Sequence, residues 1–163
     1  MPNKTLTVDE VLALLAATAP RIAELTESLK PIELRRPSDG EWSSNDVLAH
    51  LRACADVWGS CMVSIIEGAH TLRAVNPLSW IEKTDYRSQD FRPSLHSFAR
   101  QRAELLGVLK PAPREDWLRT VTVTGAGAPL QRDALFYGRW MAGHERAHVK
   151  QIAKMAGALE QER

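Results

Sequence analysis

Cysteine is scarce in this chain, with Cys54 and Cys61 the two examples among 163 residues. They stand seven apart in a stretch that reads as one helix, so two turns of rise hold their Cα atoms ~10 Å apart, beyond disulfide reach. No zinc-finger or redox-pair spacing is present. Both are expected as free thiols, in keeping with a reducing compartment. An excess of one charge is lacking too. Twenty-one Lys and Arg oppose twenty Asp and Glu for a formal net charge of +1, without a basic run. That balance removes the electrostatic footprint of a dedicated nucleic-acid binder. No apolar stretch approaches bilayer-spanning length, and Met1-Pro-Asn-Lys-Thr5 lacks the apolar core of a signal peptide. A cytoplasmic protein without nucleic-acid or membrane partners is expected. Internal repeats and low-complexity tracts are also missing. The length suits one domain over residues 1–163 that buries its own core.

What the chain has is helical periodicity. Thr7-Val-Asp-Glu10 has the form of a capping box, and Val8, Val11, Leu12, Leu15, Ile22, Leu25 and Leu29 keep a helical period to about Lys30. Pro20 falls inside this run and predicts a kink, or two helices meeting end to end. Pro31 to Glu41 carries loop and turn chemistry. Trp42-Ser-Ser-Asn-Asp-Val47 spells a helix start, with Ser43 as N-cap, Asp46 as the N3 acid, and Trp42 and Val47 as a hydrophobic staple. The apolar side of this second helix holds Val47, Leu48, Leu51, Cys54, Ala55, Trp58, Met62 and Ile65, with His50 in the same sector, and Gly68 marks its end.

Residues 68–92 form a long connection. Asn76-Pro77 predicts a short helix to about Lys83, and Trp80, Tyr86 and Phe91 are expected over one end of the molecule, as a lid or as structural cover. Leu95, Phe98, Leu105, Leu106 and Leu109 mark a third helix, entered at Pro93-Ser94 and stopped by Pro111 and Pro113. Asp116 to Thr124 alternates as a strand does, and Gly125 to Pro129 closes it. The last helix is expected over Leu130 to Met155. The sum is an all-α chain: a four-helix bundle with a long crossover between its second and third helices, which lets consecutive helices run parallel.

The chemistry concentrates in His144-Glu-Arg-Ala-His148. Residues four apart lie one above the other on a helix, so the two imidazoles converge on one point. Tyr137, Met141, Ile152 and Met155 share their face, which turns the pair inward. Buried imidazoles need a partner for both ring nitrogens, and a metal is the simplest common one; satisfied core histidines are the alternative. His50 makes a third core-facing histidine. One His from the second helix and a pair from the fourth suit a divalent ion with positions left for water or substrate. Imidazole suits Zn, Ni, Co, Cu or Fe, and Zn or Ni is expected first. Cys54, four residues after His50, has a thiolate ligand as one reading and a small buried hydrophobe as the other. Asp46 has a capping role and, as a second option, a role orienting His50. His70 and His96 read as surface residues.

Trp42-Ser-Ser-Asn-Asp-Val-Leu-Ala-His-Leu51 resembles the W-S-x-x-[DE]-V-L-x-H-L signature of the DinB/YfiT-like superfamily, and His144-x-x-x-His148-x-x-Gln-Ile152 resembles that family's closing motif. The resemblance implies an up-down-down-up four-helix bundle, often dimeric, with a divalent metal on His50, His144 and His148. It also implies kinship with thiol-dependent S-transferases and isomerases that use bacillithiol, mycothiol or glutathione. The same residues spell H-E-x-x-H, the zincin protease signature with Glu145 as base. Lys154 stands where a metzincin has its third His, and Glu160 and Glu162 lie too close behind to fold back as the gluzincin ligand. Glu145 is one residue off the histidine face and reads as solvated or salt-bridged.

Two function classes follow. The first is a metal-dependent thiol S-transferase joining a low-molecular-weight thiol to a small electrophile, with Tyr137, Met141, Trp58 and Trp140 lining its pocket. The second is a metal-binding or stress-associated bundle without catalysis. A hydrolase of the H-E-x-x-H kind ranks below both.

Overall fold

In the computed structural model, which describes residues 5–38 and 42–162, four long helices build the molecule. They are α1 (Val8–Thr26), α3 (Ser44–Ile66), α5 (Phe91–Leu109) and α7 (Ala134–Gln161). Three short helices, α2 (Pro31–Leu34), α4 (Pro77–Ile81) and α6 (Arg114–Leu118), and the strands β1 (Thr71–Arg73), β2 (Val121–Thr124) and β3 (Leu130–Arg132) lie in the connections.

Both capping boxes form. Thr7 and Glu10 cap α1, and Ser43 and Asp46 cap α3, each satisfying the other's free backbone donor. The chain leaves α3 through Gly68, at φ 106°, with Gly68 N–H donating to Ile65 O and Ala69 N–H to Ser64 O. This is the left-handed termination that a Cβ would oppose. Pro20 does not divide α1, which runs unbroken past it. Pro20 and Ala16, whose carbonyl loses its partner, both face solvent, so water can donate to the freed carbonyl.

Residue contacts fix the course. Val11 lies against Gly138, Thr18 bonds Glu145 and Ser28 bonds Glu160, so α1 and α7 run parallel. Met62 near the end of α3 meets Gly138, while His50 near its start meets His144, so those two are antiparallel. Arg52 donates to Ser94 and Gln101 to Asp56, so α3 and α5 are parallel. The result is up-down-down-up, as expected, around a core that includes Leu15, Ile22, Leu51, Met62, Phe98, Trp117 and Ile152.

The crossover that this topology requires is pinned to α3. Asp56 Oδ2 accepts from Trp80 Nε1 at 2.9 Å and Tyr86 Oη at 2.6 Å, and Asp56 Oδ1 accepts from Gln101 Nε2. Arg52 stacks its guanidinium 3.8 Å from the Tyr86 ring centre. Phe91 is buried in the core. These aromatics are structural cover.

Three expectations need correction. Pro31 to Leu34, inside the expected loop, forms a one-turn helix with Pro31 at its first position and Glu33 accepting from Lys30 N–H; residues 39–41 of that stretch lie outside the described residues. Leu130 to Arg132 is not the start of the last helix. Gly125 and Gly127, at φ 90° and 85°, fold the chain back so that β3 pairs antiparallel with β2, and Asp133 then caps α7 by accepting from Phe136 N–H. Asp116 to Leu118 is helical because a turn there is needed to drive Trp117 into the core; strand alternation begins at Val121. Beyond the four helices, β1 adds to β2 in parallel and completes a three-stranded sheet at one end of the bundle.

Candidate metal centre

The first turns of α3 and the middle of α7 bring His50, His144 and His148 together. The staple residue Trp42 and the Ser43–Asp46 box set the start of α3, and His50 follows one turn later on the side facing α7. On α7 the four-residue spacing stacks the other two rings, with centroids 4.5 Å apart. His144 Nε2 lies 3.0 Å from His50 Nε2 and 3.2 Å from His148 Nε2. A tetrahedral ion with bonds of 2.0–2.1 Å would hold its ligand nitrogens about 3.3 Å apart. Among the described residues, these three form the group of His, Cys and acidic side chains that converges within 4.8 Å.

Hydrogen bonding alone does not settle this cluster. Gln151 Oε1 lies 2.8 Å from His148 Nδ1 and accepts its proton, which leaves His148 Nε2 a lone pair. If His144 carries its proton on Nδ1, that N–H is buried without a partner and its Nε2 lone pair faces that of His148. If the proton is on Nε2, the single N–H is shared between two acceptors and the buried Nδ1 is left unmet. A cation receiving three Nε2 lone pairs removes the conflict among those nitrogens. The residues therefore fit a metal.

Electrostatics point the same way. Burial, then the charges of His148 and Arg87, push His50 down to about 4. Burial, then His148 and His50, push His144 down to about 4. Both rings are neutral at pH 7, the form that ligates. The surroundings are aromatic. Trp42 stands edge-on to His50 and nearly parallel to His148, with centroids 5.2 and 6.3 Å away, and Trp58 stands edge-on to His144 at 5.0 Å.

The remaining expectations sort cleanly. His70 and His96 are exposed. Cys54 is buried, with Sγ 3.6 Å from His50 Nε2, and burial followed by Glu145 raises its thiol to about 12. It belongs with the small buried hydrophobes. Asp46 Oδ2 accepts from Ser43 N and Oγ, so it is a cap. Of the proposed pocket residues, Trp58 and Trp140 are at the site, but Tyr137 and Met141 are buried in the core. Glu145 is not solvated. It is 2% exposed, both its oxygens accept from Arg102, and Oε1 also accepts from Thr18 Oγ1 at 2.8 Å. That arrangement withholds it from the base role a zincin would assign. Gln151, present in the closing motif but given no role by the sequence, joins the site through His148; its position three residues later puts it on the same side of the helix.

Comparison with known proteins agrees with the fold. The solved structure of YfiT from Bacillus subtilis, described as a probable metal-dependent hydrolase with an unusual four-helix bundle topology, matches with a TM-score of 0.72. The match covers 96% of this chain and 93% of that one at 17% sequence identity, which establishes a shared fold. No curated protein matches by sequence. The family model of the DinB superfamily matches residues 14–152, a span that contains the capped start of α3, the crossover and all three histidines. With its up-down-down-up course and its convergent histidines, the chain belongs to the DinB superfamily.

Proposed function

We propose that the chain binds one divalent transition metal, Zn or Ni foremost, through His50, His144 and His148, and uses it to pass a low-molecular-weight thiol to an electrophilic small molecule. The observation that carries this reading is the meeting of three imidazole Nε2 atoms at 3.0 and 3.2 Å. Bound there, a divalent cation lowers the pKa of a coordinated thiol or water and supplies a nucleophile at neutral pH.

The chain's own residues hold and screen the site. Gln151 fixes the His148 ring in the tautomer that presents Nε2. Trp42 and Trp58 flank the imidazoles and keep water from their sides. Cys54 is buried and stands outside the three-histidine group, so this reading takes the reacting sulfur from an external thiol. Glu145, locked to Arg102, offers no general base, which favours a nucleophile activated by the cation over zincin-type hydrolysis.

A metal-dependent hydrolase is the second reading, favoured by the description of YfiT. One experiment separates the two. Metal-loaded protein is assayed with glutathione, mycothiol and bacillithiol against 1-chloro-2,4-dinitrobenzene, where a sulfur–carbon bond forms, the carbon–chlorine bond breaks, and chloride and the thiol proton leave. Parallel assays use simple esters and amides. Thiol-dependent turnover lost in His144→Ala supports transfer, and thiol-independent cleavage lost in the same variant supports hydrolysis. Failure of every pairing leaves a non-catalytic metal-binding bundle.

A further inference from the structure

The metal-bearing face of α7 continues beyond the histidines. Phe136, Trp140, His144 and His148 stand four apart, one above another on the helix. Trp58 of α3 joins the row, giving centroid steps of 5.0 Å from His144 to Trp58, 6.0 Å from Trp58 to Trp140 and 6.4 Å from Trp140 to Phe136. The Arg132 guanidinium closes the far end, 4.3 Å from the Phe136 ring centre. Trp140 is 54% exposed and Phe136 38%, so the two large aromatics left in solvent, among the described residues, are neighbours on one face. Exposed aromatic rings that adjoin one another mark a surface meant for contact. Packing does not explain them, since the core is complete beneath them at Tyr137 and Met141.

We infer that this row is the recognition surface for a planar aromatic anion, its rings lying along Trp140 and Phe136 and its acidic group meeting Arg132. The inference deepens the proposed function, because it names the class of electrophile, and it rests on that reading for what the ligand does. Two observations select this occupant. The row is continuous through Trp58 with the three imidazoles, so it leads from solvent toward the metal centre. Arg132 spends Nη1 on the Gln131 carbonyl and has no ion-pair partner among the described residues, so an apolar strip ends on an uncompensated cation. Aromatic rings attract other rings edge-on or offset, and guanidinium pairs with carboxylate or sulfonate through its remaining N–H groups. A twofold dimer through the same face would lay an uncompensated guanidinium on each side of the contact.

The test is binding of 2-naphthoate, with 2-naphthamide as the uncharged probe, followed by tryptophan fluorescence quenching and ligand-observed NMR. It uses metal-free and metal-loaded wild type, Trp140→Ala and Arg132→Gln. Trp140 is solvent-exposed, so its loss leaves the fold standing. The expected result is saturable binding in both metal states, weakened about tenfold by Trp140→Ala. A several-fold preference for naphthoate over naphthamide should vanish in Arg132→Gln. Three results overturn the inference: no saturable binding, unchanged affinity in Trp140→Ala, or a wild-type dimer that Trp140→Ala converts to monomer. Metal content is measured on the same samples. Trp140-dependent binding by a protein that takes up no metal would sink the proposed function and leave this inference standing, and metal uptake without naphthoate binding would do the reverse.

Discussion

Replacing Glu145 by alanine separates a structural carboxylate from a catalytic one. In the folded protein Arg102 and Glu145 are 3% and 2% exposed. Arg102 Nη1 donates to Glu145 Oε1 at 2.8 Å and to Leu15 O at 2.9 Å, and Nη2 donates to Glu145 Oε2. Glu145→Ala leaves the guanidinium with the Leu15 carbonyl and the Phe98 face, 5.0 Å from the ring centre, but without its counter-charge. Stranding one partner of a buried pair costs about 3–5 kcal/mol. For a chain of this size each kcal/mol moves the melting temperature by roughly 2–4 °C. The midpoint should therefore fall by ~6–20 °C. Thermal and urea unfolding of metal-free protein is the assay, so that ligand binding adds nothing to either state. The double variant Arg102→Met, Glu145→Leu should recover most of the loss, because two apolar groups of similar volume replace a pair that was expensive to bury. A midpoint within ~2 °C of wild type in Glu145→Ala would refute the reasoning. If that variant also lost a metal-dependent hydrolysis, Glu145 would be a base after all.

Other perturbations test the frame around the site. A Cβ at Gly138 would sit 2.9 Å from Val11 Cγ1 and 3.1 Å from Met62 Cε, where α1, α3 and α7 meet, so Gly138→Ala should destabilise by about 1–3 kcal/mol in urea unfolding. Asp56→Ala strands the Trp80, Tyr86 and Gln101 donors, and limited proteolysis should then cut within residues 75–90 much faster than in wild type. The neutral histidines predict a pH dependence for the metal-free protein. His50 and His144 are lowered to about 4 when folded, against 6.5 for a free side chain, so between those values the unfolded chain binds more protons. Their contribution is whole above pH 6.5 and is lost as pH falls toward 4. His50→Ala should flatten that slope; an unchanged slope would show that the ring is not held neutral by its surroundings.

Local chemistry made much of this legible in the sequence. Thr7 with Glu10, and Ser43 with Asp46, are complete capping instructions within four residues, and both are obeyed. The pairing of His144 with His148 needed only the helical repeat. Their meeting with His50 is a tertiary fact, which the family resemblance supplied and periodicity could not. Pro20 misled because its cost depends on whether the freed carbonyl faces water, a matter of orientation. Leu130-Gln-Arg132 misled because its strand exists only by pairing with β2. For Glu145 the signal was present. Arg102 sits between Phe98 and Leu105 on the apolar stripe of α5, and Glu145 sits four residues after Met141 on α7, so each helix carries one charge facing the core. Two opposite charges on facing stripes were a pair waiting to be matched.

Metal content tests the central claim most directly. Protein purified without an affinity tag is measured by elemental mass spectrometry, as isolated and after exposure to Zn and to Ni, beside His50→Ala, His144→Ala and Gln151→Leu. Three converging Nε2 atoms predict one equivalent of a transition metal in wild type, none retained in either histidine variant, and affinity weakened about 10–100-fold in Gln151→Leu. A wild type that stays metal-free and refuses both ions, while folding normally, would contradict the account.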